Sequence, residues 1–481
     1  MRGHLDAMHR TIHLDEATVT LGPADVSAPS LRITGNAEGL GGDVTIQGEI
    51  ALTALPIATL KRLWPVHVGS QARARVIEQL HAGQVDQASV NVVLALPSGH
   101  ISNAALQRLE GTLRAHLTVA NSSARFETAL AYVETTEQFK LDLSFTDLRP
   151  SALATVVPAW RAVAGVDVPL SGKLAAALDT HGQLRDLQFK LNGGPGRVSH
   201  VAVLPQALPV STVTAQGRLD ETQATFHLDA VTIAFGTAGA AGPRLGLSGI
   251  AQELKNAVTI NGQVTLTGLR LEELQDYWPA GVSADARAWL TENLVAGTVE
   301  EAKAQVVVTL PSTTAPMAKL ERLQGSLRYQ DCEVHYLRPL PPATGVSGSA
   351  SFDQQGFRIQ INGGQITDLQ ITAGTVEITG LDRGRDAIAI RVGMNAPLRT
   401  VLTLLKHPQL NLLTDLSIDP ATTDGQITSQ LAWPSRCVAR YCCTMSTSQP
   451  TVPSQRSQYR RPSSVTISST VISRWTSTRP A

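Results

Sequence analysis

WPVHVGSQARARVIEQLHAGQVDQASVNVVLALP, beginning at Trp64, returns as WPAGVSADARAWLTENLVAGTVEEAKAQVVVTLP, beginning at Trp278. The stretches lie 214 residues apart, and the offset holds without a gap between residues 64–114 and 278–328, where 24 of 51 positions are identical. It extends backwards through VTIQGEIALTAL (44–55) and VTINGQVTLTGL (258–269), and reaches His13-Leu14-Asp15 against His227-Leu228-Asp229. A constant register over that length marks a duplication, and duplication points to a repeat architecture.

Each copy reads the same way. Val44, Ile46, Gly48, Ile50 and Leu52 alternate with polar residues, the period of a strand with one buried face. After Trp-Pro comes one short helix, with Ala72, Val76 and Leu80 on one stripe in the first copy and Ala286, Leu290 and Leu294 in the second. Gly83 and Gly297 then stand where a helix takes a left-handed stop. Val90, Val92, Leu94 and Leu96 alternate next, as do Ala304, Val306, Val308 and Leu310, before Pro97 and Pro311. Trp64-Pro65 and Trp278-Pro279 read as corners where a strand end packs on the helix.

Between and beyond the copies, strands dominate: Phe139, Leu141, Leu143 and Phe145, then Leu174, Ala176 and Leu178, then Phe357, Ile359 and Ile361. Further helices are predicted near 151–164 and 398–405. One-sided alternation favours an antiparallel sheet over a buried parallel one. The predicted fold is mainly β with a few short helices (β-rich α+β): an elongated, curled antiparallel sheet forming a groove, with internal repeats. Its expected segments are a first β-helix-β copy at 1–114, a β-rich stretch at 115–226, the second copy at 227–328, a β-rich continuation at 329–434, and a tail at 435–481.

Composition narrows the function. Aromatic residues are 4% of the chain, so the core must come from Val, Leu, Ile and Ala. Formal charge is zero, but residues 435–481 hold seven Arg and no Asp, Glu or Lys, which leaves 33 basic and 40 acidic residues in the main part. Nothing there suits nucleic acid. Of the four Cys, only Cys332 lies in the main part, which gives no disulfide framework. No stretch has the length and apolarity of a signal peptide or membrane span. The tail, with eleven Ser and seven Thr, reads as disordered or as translated out of frame.

No catalytic constellation is found. The repeated His13/Asp15 and His227/Asp229 pairs sit among apolar strand residues and lack further ligands. Cys332 and His335 are half of a zinc spacing without a second half. Residues 192–197, NGGPGR, lack the Lys-Ser/Thr of a phosphate loop and read as a turn. Glu78 and Glu292 match between copies but have no second acid. The expectation is a non-enzyme without cofactor or metal.

Several phrases resemble a known family. LRPSALATVVPAWRAVAGVDVPLSGKLAAAL (148–178) looks like the repeating phrase of AsmA-like bacterial proteins. Trp278-Pro279, the Ala286-Arg287-Ala288-Trp289-Leu290 run and Gly297 resemble the YhdP-type branch, and residues 337–353, 361–366 and 394–434 follow in that branch's order. The resemblance implies an envelope protein of a Gram-negative bacterium. Relatives are held in the inner membrane by an N-terminal helix, extend through the periplasm and carry phospholipid along an apolar β-groove between the inner and outer membranes. That anchor is expected to be missing from this chain, which reads as a fragment. Its expected partners are phospholipid acyl chains, with Val90, Val92, Leu94, Leu96, Val306, Val308 and Leu310 facing lipid. Trp64, Pro65, Gly83, Trp278, Pro279, Arg287 and Gly297 form the structural signature. Protein partners are unknown. The alternatives are a structural or interaction repeat protein affecting outer-membrane assembly, and a truncated non-functional product.

The out-of-frame reading of the tail has a direct check. A neighbouring reading frame of the gene continues the alternation beyond Pro434 if that reading holds, and no frame does so if it fails.

Overall fold

The computed structural model describes residues 1–20, 28–59, 83–97, 105–119, 122–155, 161, 163–199, 204, 206–237, 239, 242–254, 257–278, 284–310, 319–383, 387–408, 419–435 and 466–469. The chain divides into two units. One comprises Met1–His200, Ala207–Ala241 and Leu247–Thr259; the other comprises Val201–Gln206, Gly242–Gly246 and Ile260–Ala481.

The first unit is an antiparallel meander. Its strands are β1 (Arg2–Asp6), β2 (Thr11–Thr20), β3 (Ser30–Glu38), β4 (Val44–Pro56), β5 (Gly83–Leu96), β6 (Ala105–Val119) and β7 (Ser122–Val133). They continue as β8 (Gln138–Leu148), β9 (Val166–Asp167), β10 (Leu170–Asp179), β11 (Leu184–Gly193), β12 (Gly196–Val198), β13 (Leu208–Asp220) and β14 (Thr225–Phe235). Each long strand pairs with the next, while the three-residue β12 pairs with the start of β13 and with the two-residue β9. No pairing among the described residues joins β1 to β14, so the sheet is open.

After β15 (Arg244–Gln252) and β16 (Val258–Arg270), the second unit repeats the plan. Its strands β17 (Leu294–Leu310), β18 (Lys319–Val334), β19 (Ala343–Asp353), β20 (Gly356–Ile366), β21 (Leu369–Thr379), β22 (Ala387–Pro397), β23 (Gln426–Ser435) and β24 (Thr466–Ser469) pair antiparallel in chain order. The mainly β, antiparallel fold class read from the alternation is the observed one. The duplication reaches backbone detail. β4 and β16 begin at 44 and 258 and end at 56 and 270, and Ala54 and Gly268 take positive φ of 52° and 69° at the same repeat position.

The turns explain the meander. Asp6, Asp179 and Asp353 each follow or close a strand, and one carboxylate oxygen of each accepts two backbone N–H groups across the turn, at 2.8–3.0 Å. That side-chain turn competes well with a continued strand and reverses the chain within a few residues.

Among the described residues the α-helices stand at one end of the strands, and the single 3-10 turns at Glu134–Thr136 and Leu381–Arg383 lie at the other. In the first unit, residues 57–59 follow β4 and α1 (Pro150–Ala154) follows β8, which runs in the same direction. In the second, α2 (Leu274–Tyr277) and α3 (Ala284–Asn293) precede β17, and α4 (Leu398–Lys406) follows β22. The buried core lies at those ends. Leu55, Val85, Ala115, Phe145, Leu148 and Phe235 are buried in the first unit; Leu271, Cys332, Val346, Ile371, Ala396 and Leu402 are buried in the second. Leu96, at the opposite end, and the small Ala176 and Ala350, in mid-strand, are buried away from it. The core is therefore a packed rim under the helices, not a slab between two layers.

Three readings change. The helix expected near 151–164 stops at Ala154, where the Thr155 N–H and hydroxyl both turn back to the Ala152 carbonyl; residues 156–160 and 162 lie outside the described set. The stripe of Ala286, Leu290 and Leu294 is cut, because α3 ends at Asn293 and Leu294 opens β17. Gly297 does not stop a helix, since α3 ends at Asn293; the residues before Gly83 lie outside the described set. Both have positive φ, 136° and 126°, but Gly83 opens β5 and Gly297 lies within β17. A Cβ on Gly297 would stand 2.7 Å from Cys332 Cα and 2.8 Å from its Sγ. The glycine is needed for close approach of two strands.

Gly297→Ala is thus expected to cost about 2–4 kcal/mol through strain and overpacking. Gly182, at φ 77° with nothing within 4 Å of a Cβ, is the control, and its change to Ala should cost about 1 kcal/mol. Denaturant midpoints of the two variants measure the difference.

Candidate functional site: the uncovered apolar sheet face

Directly paired residues on neighbouring strands share a face, so the register traces each face across the sheet. In the first unit, Ala17 on β2 faces Ile33, which faces Ile50, Val90, Gly111 and Leu130 in turn. The line continues through Leu141, Ala176, Leu187 and Leu219 to Phe226 on β14. Eleven strands contribute and every residue is apolar or Gly. At about 4.8 Å per strand such a line runs roughly 48 Å. The next line inward contains Leu113, Thr128, Leu143, Leu174, Phe189, Gly217 and Leu228, with Thr128 its polar member.

The second unit has the same face. Ala302, Leu327, Ala350, Ile359, Val376 and Ile390 form one line across β17–β22. Ala304, Gly325, Phe352, Phe357, Ile378 and Ile388 form the line beside it.

The other face carries charge. Arg114, Glu127, Ser144, Lys173, Lys190 and Gln216 face one another along one line. The ions pair among themselves: Arg114 with Glu127 at 3.5 Å, Lys303 with Glu301 at 2.8 Å, and Arg358 with Glu377 at 3.3 Å. The Lys303 ammonium holds the Glu301 carboxyl below its ordinary value. These are solvent-exposed pairs, which add little stability but keep this face wet.

Exposure separates the faces strand by strand. Along β7, Phe126, Thr128 and Leu130 are half-buried, while Glu127 and even Ala129 are exposed. Along β10, Lys173 and Ala175 are exposed and Leu174 is half-buried. The apolar side chains shield one another sideways but, away from the rim, remain in reach of solvent. Ile50 and Val90, in mid-strand, are 43% and 36% exposed. Packing normally removes such a surface from water, so this is the feature that asks for a ligand. Two shallow furrows of about 1080 and 790 Å³ also follow the strand middles, but their lining mixes Leu143 and Phe189 with Lys173, Lys190, Glu377 and Arg358.

Val90, Val92 and Leu94 lie on the apolar lines, opposite Gly111, Leu109 and Leu106. Leu96 pairs with Val44 but is buried (5%), so it belongs to packing and not to an open surface. Val306 and Val308 pair with Leu323 and Leu320, and Leu310 ends β17 exposed. Trp64 and Pro65, Pro279, and the first-copy helix at Ala72, Val76 and Leu80 lie outside the described residues. Trp278 caps α2, its N–H donating to the Leu274 carbonyl at 3.0 Å, so it ends a helix and not a strand. Arg287 donates to the Gln275 carbonyl at 3.1 Å and ties α3 back to α2. Sequence reading missed Arg338, which donates to the Glu292 carbonyl (2.7 Å) and Asn293 Oδ1 (3.2 Å) at the end of α3. Only its distance in sequence hid it.

The polar motifs stay apart. His13 stacks on His4 at 4.8 Å, and Asp229 pairs with Arg218 at 3.9 Å. His335 is 3.2 Å from Glu333. Among the described residues no three His, Cys, Asp or Glu converge. Cys332 is buried in the rim (4%), and burial, with Asp331 beside it, pushes its thiol up to about 11. Tyr329 on the apolar face is pushed by burial up to about 12, and its hydroxyl donates to the Gln360 carbonyl at 3.0 Å. Among the described residues no helix is long and apolar enough to cross a membrane.

Since the thiolate is the reacting form, Cys332 should label slowly. With Cys437, Cys442 and Cys443 changed to Ser, maleimide at pH 7.5 should react far more slowly with the folded chain than with denatured chain. Equal rates would mean that the rim is open.

The chain matches the family model described as YhdP protein over residues 159–433, more than half of its 481 residues. No curated protein and no solved structure matches it. At the level of the family this is an envelope protein of lipid-transport type, and the family is not a known family of enzymes. An uncovered apolar sheet face within the matched span, and the order of its sequence phrases, agree with that match: the chain belongs to the YhdP family of AsmA-like proteins.

Proposed function

We propose that the apolar sheet faces hold phospholipid acyl chains and let them move along the sheet, between the inner and outer membranes, without catalysis. The observation that carries this is the unbroken apolar line across eleven strands of the first unit, most of it in reach of solvent and, among the described residues, with no second layer over its middle. Burying one methylene is worth about 0.8 kcal/mol, so a chain laid on this face gains several kcal/mol from contact alone. Because successive strands offer similar side chains, no single position is a deep trap, and a chain can shift from strand to strand. Bulges such as those at Val85/Gln87, Phe145/Leu148 and Tyr329/Cys332 bend the strands near the helix-bearing rim, which supports a sheet curled into a groove. The periplasmic setting and an inner-membrane anchor in the full-length protein belong to this proposal.

Photo-crosslinking side chains placed at Leu143, Ile359 and Val308 in the membrane-anchored full-length protein should capture phospholipid, while Ser144 and Gln360, on the opposite face, should not. Capture from Ser144 and Gln360 alone would sink the proposal. Leu143→Asp puts a charge on the path of the chain, at a cost of about 3 kcal/mol, and should weaken lipid binding roughly 100-fold. Leu143 is only half-buried, so the fold should survive; binding unchanged in a folded variant would count against the groove and favour a packed structural face.

A further inference from the structure

We infer, resting on that reading, that the site selects its ligand by acyl chain and is indifferent to the headgroup. The class of ligand is then any amphiphile with a long enough hydrocarbon chain, whether fatty acid, lysolipid or phospholipid, zwitterionic or anionic. Recognition of a phosphate or carboxylate needs a cation or convergent N–H groups. The lines running through Leu113, Leu141 and Phe145 across β6–β14 carry one polar side chain among the described residues, the Thr128 hydroxyl. In the second unit the polar member is Tyr329, and its hydroxyl is already given to the Gln360 carbonyl. By the register, Arg114, Lys173, Lys190 and Arg358 project from the opposite face, and Arg114 and Arg358 are paired there with Glu127 and Glu377. A headgroup above the apolar face therefore stays in water, and affinity is set by the number of methylenes that reach the leucines and valines.

Competition against a fluorescent fatty acid on the purified full chain, below micelle concentrations, tests this. Lysophosphatidylcholines of 10 to 16 carbons should bind more tightly by about two- to fourfold per methylene, the range for half to full burial. At fixed chain length, lysophosphatidylcholine, lysophosphatidylglycerol and the free acid should agree within about threefold. A tenfold or larger headgroup preference, or affinity independent of chain length, overturns this inference while leaving the groove. Failure of every chain to bind overturns the groove reading and this inference with it.

Discussion

The structure depends on one constraint: successive side chains of a strand must point to opposite faces. Every long strand spends its apolar residues on one side and its charges on the other. Because direct neighbours across the sheet share a face, eleven local alternations add up to one continuous apolar surface. A single slip of register would turn a strand's leucines into water, so the Asp-built turns that fix register also fix the site.

What is unusual is where burial stops. Helices and buried side chains are gathered at one end of the strands, where Leu55, Val85 and Ala115 line up directly across three of them. Below that rim, among the described residues, the apolar side chains pair mainly with one another across the strands. A globular protein would lay a second layer there. The described α-helices, of which α3 and α4 are the longest, reach only the rim. Stability is thus concentrated on one edge, and the remainder of the apolar face is left free to meet something else.

Much of this was legible in the sequence. The alternation at Leu141/Leu143 and Ile359/Ile361 named both the strands and the face, because period two is a local property. The rim was not legible, since it comes from pairing between distant residues. Gly297 shows the difference. Next to a helical phrase it reads as a helix stop, and only Cys332, on the neighbouring strand, explains why no Cβ fits. Leu96 looked like its neighbours Val92 and Leu94 but is buried. Arg338 gave no sign that it would hold the end of a helix 45 residues before it.

The central claim is that one face of the sheet, and not the other, meets acyl chains. Methyl-resolved NMR with a fatty acid spin-labelled at its chain end measures this at single residues. The methyl signals of Leu113, Leu143 and Leu174 should broaden on addition of the labelled acid, while those of Ala129 and Ala175, on the opposite face of β7 and β10, should keep their intensity. Broadening of Ala129 and Ala175 with the leucines unaffected would contradict the account.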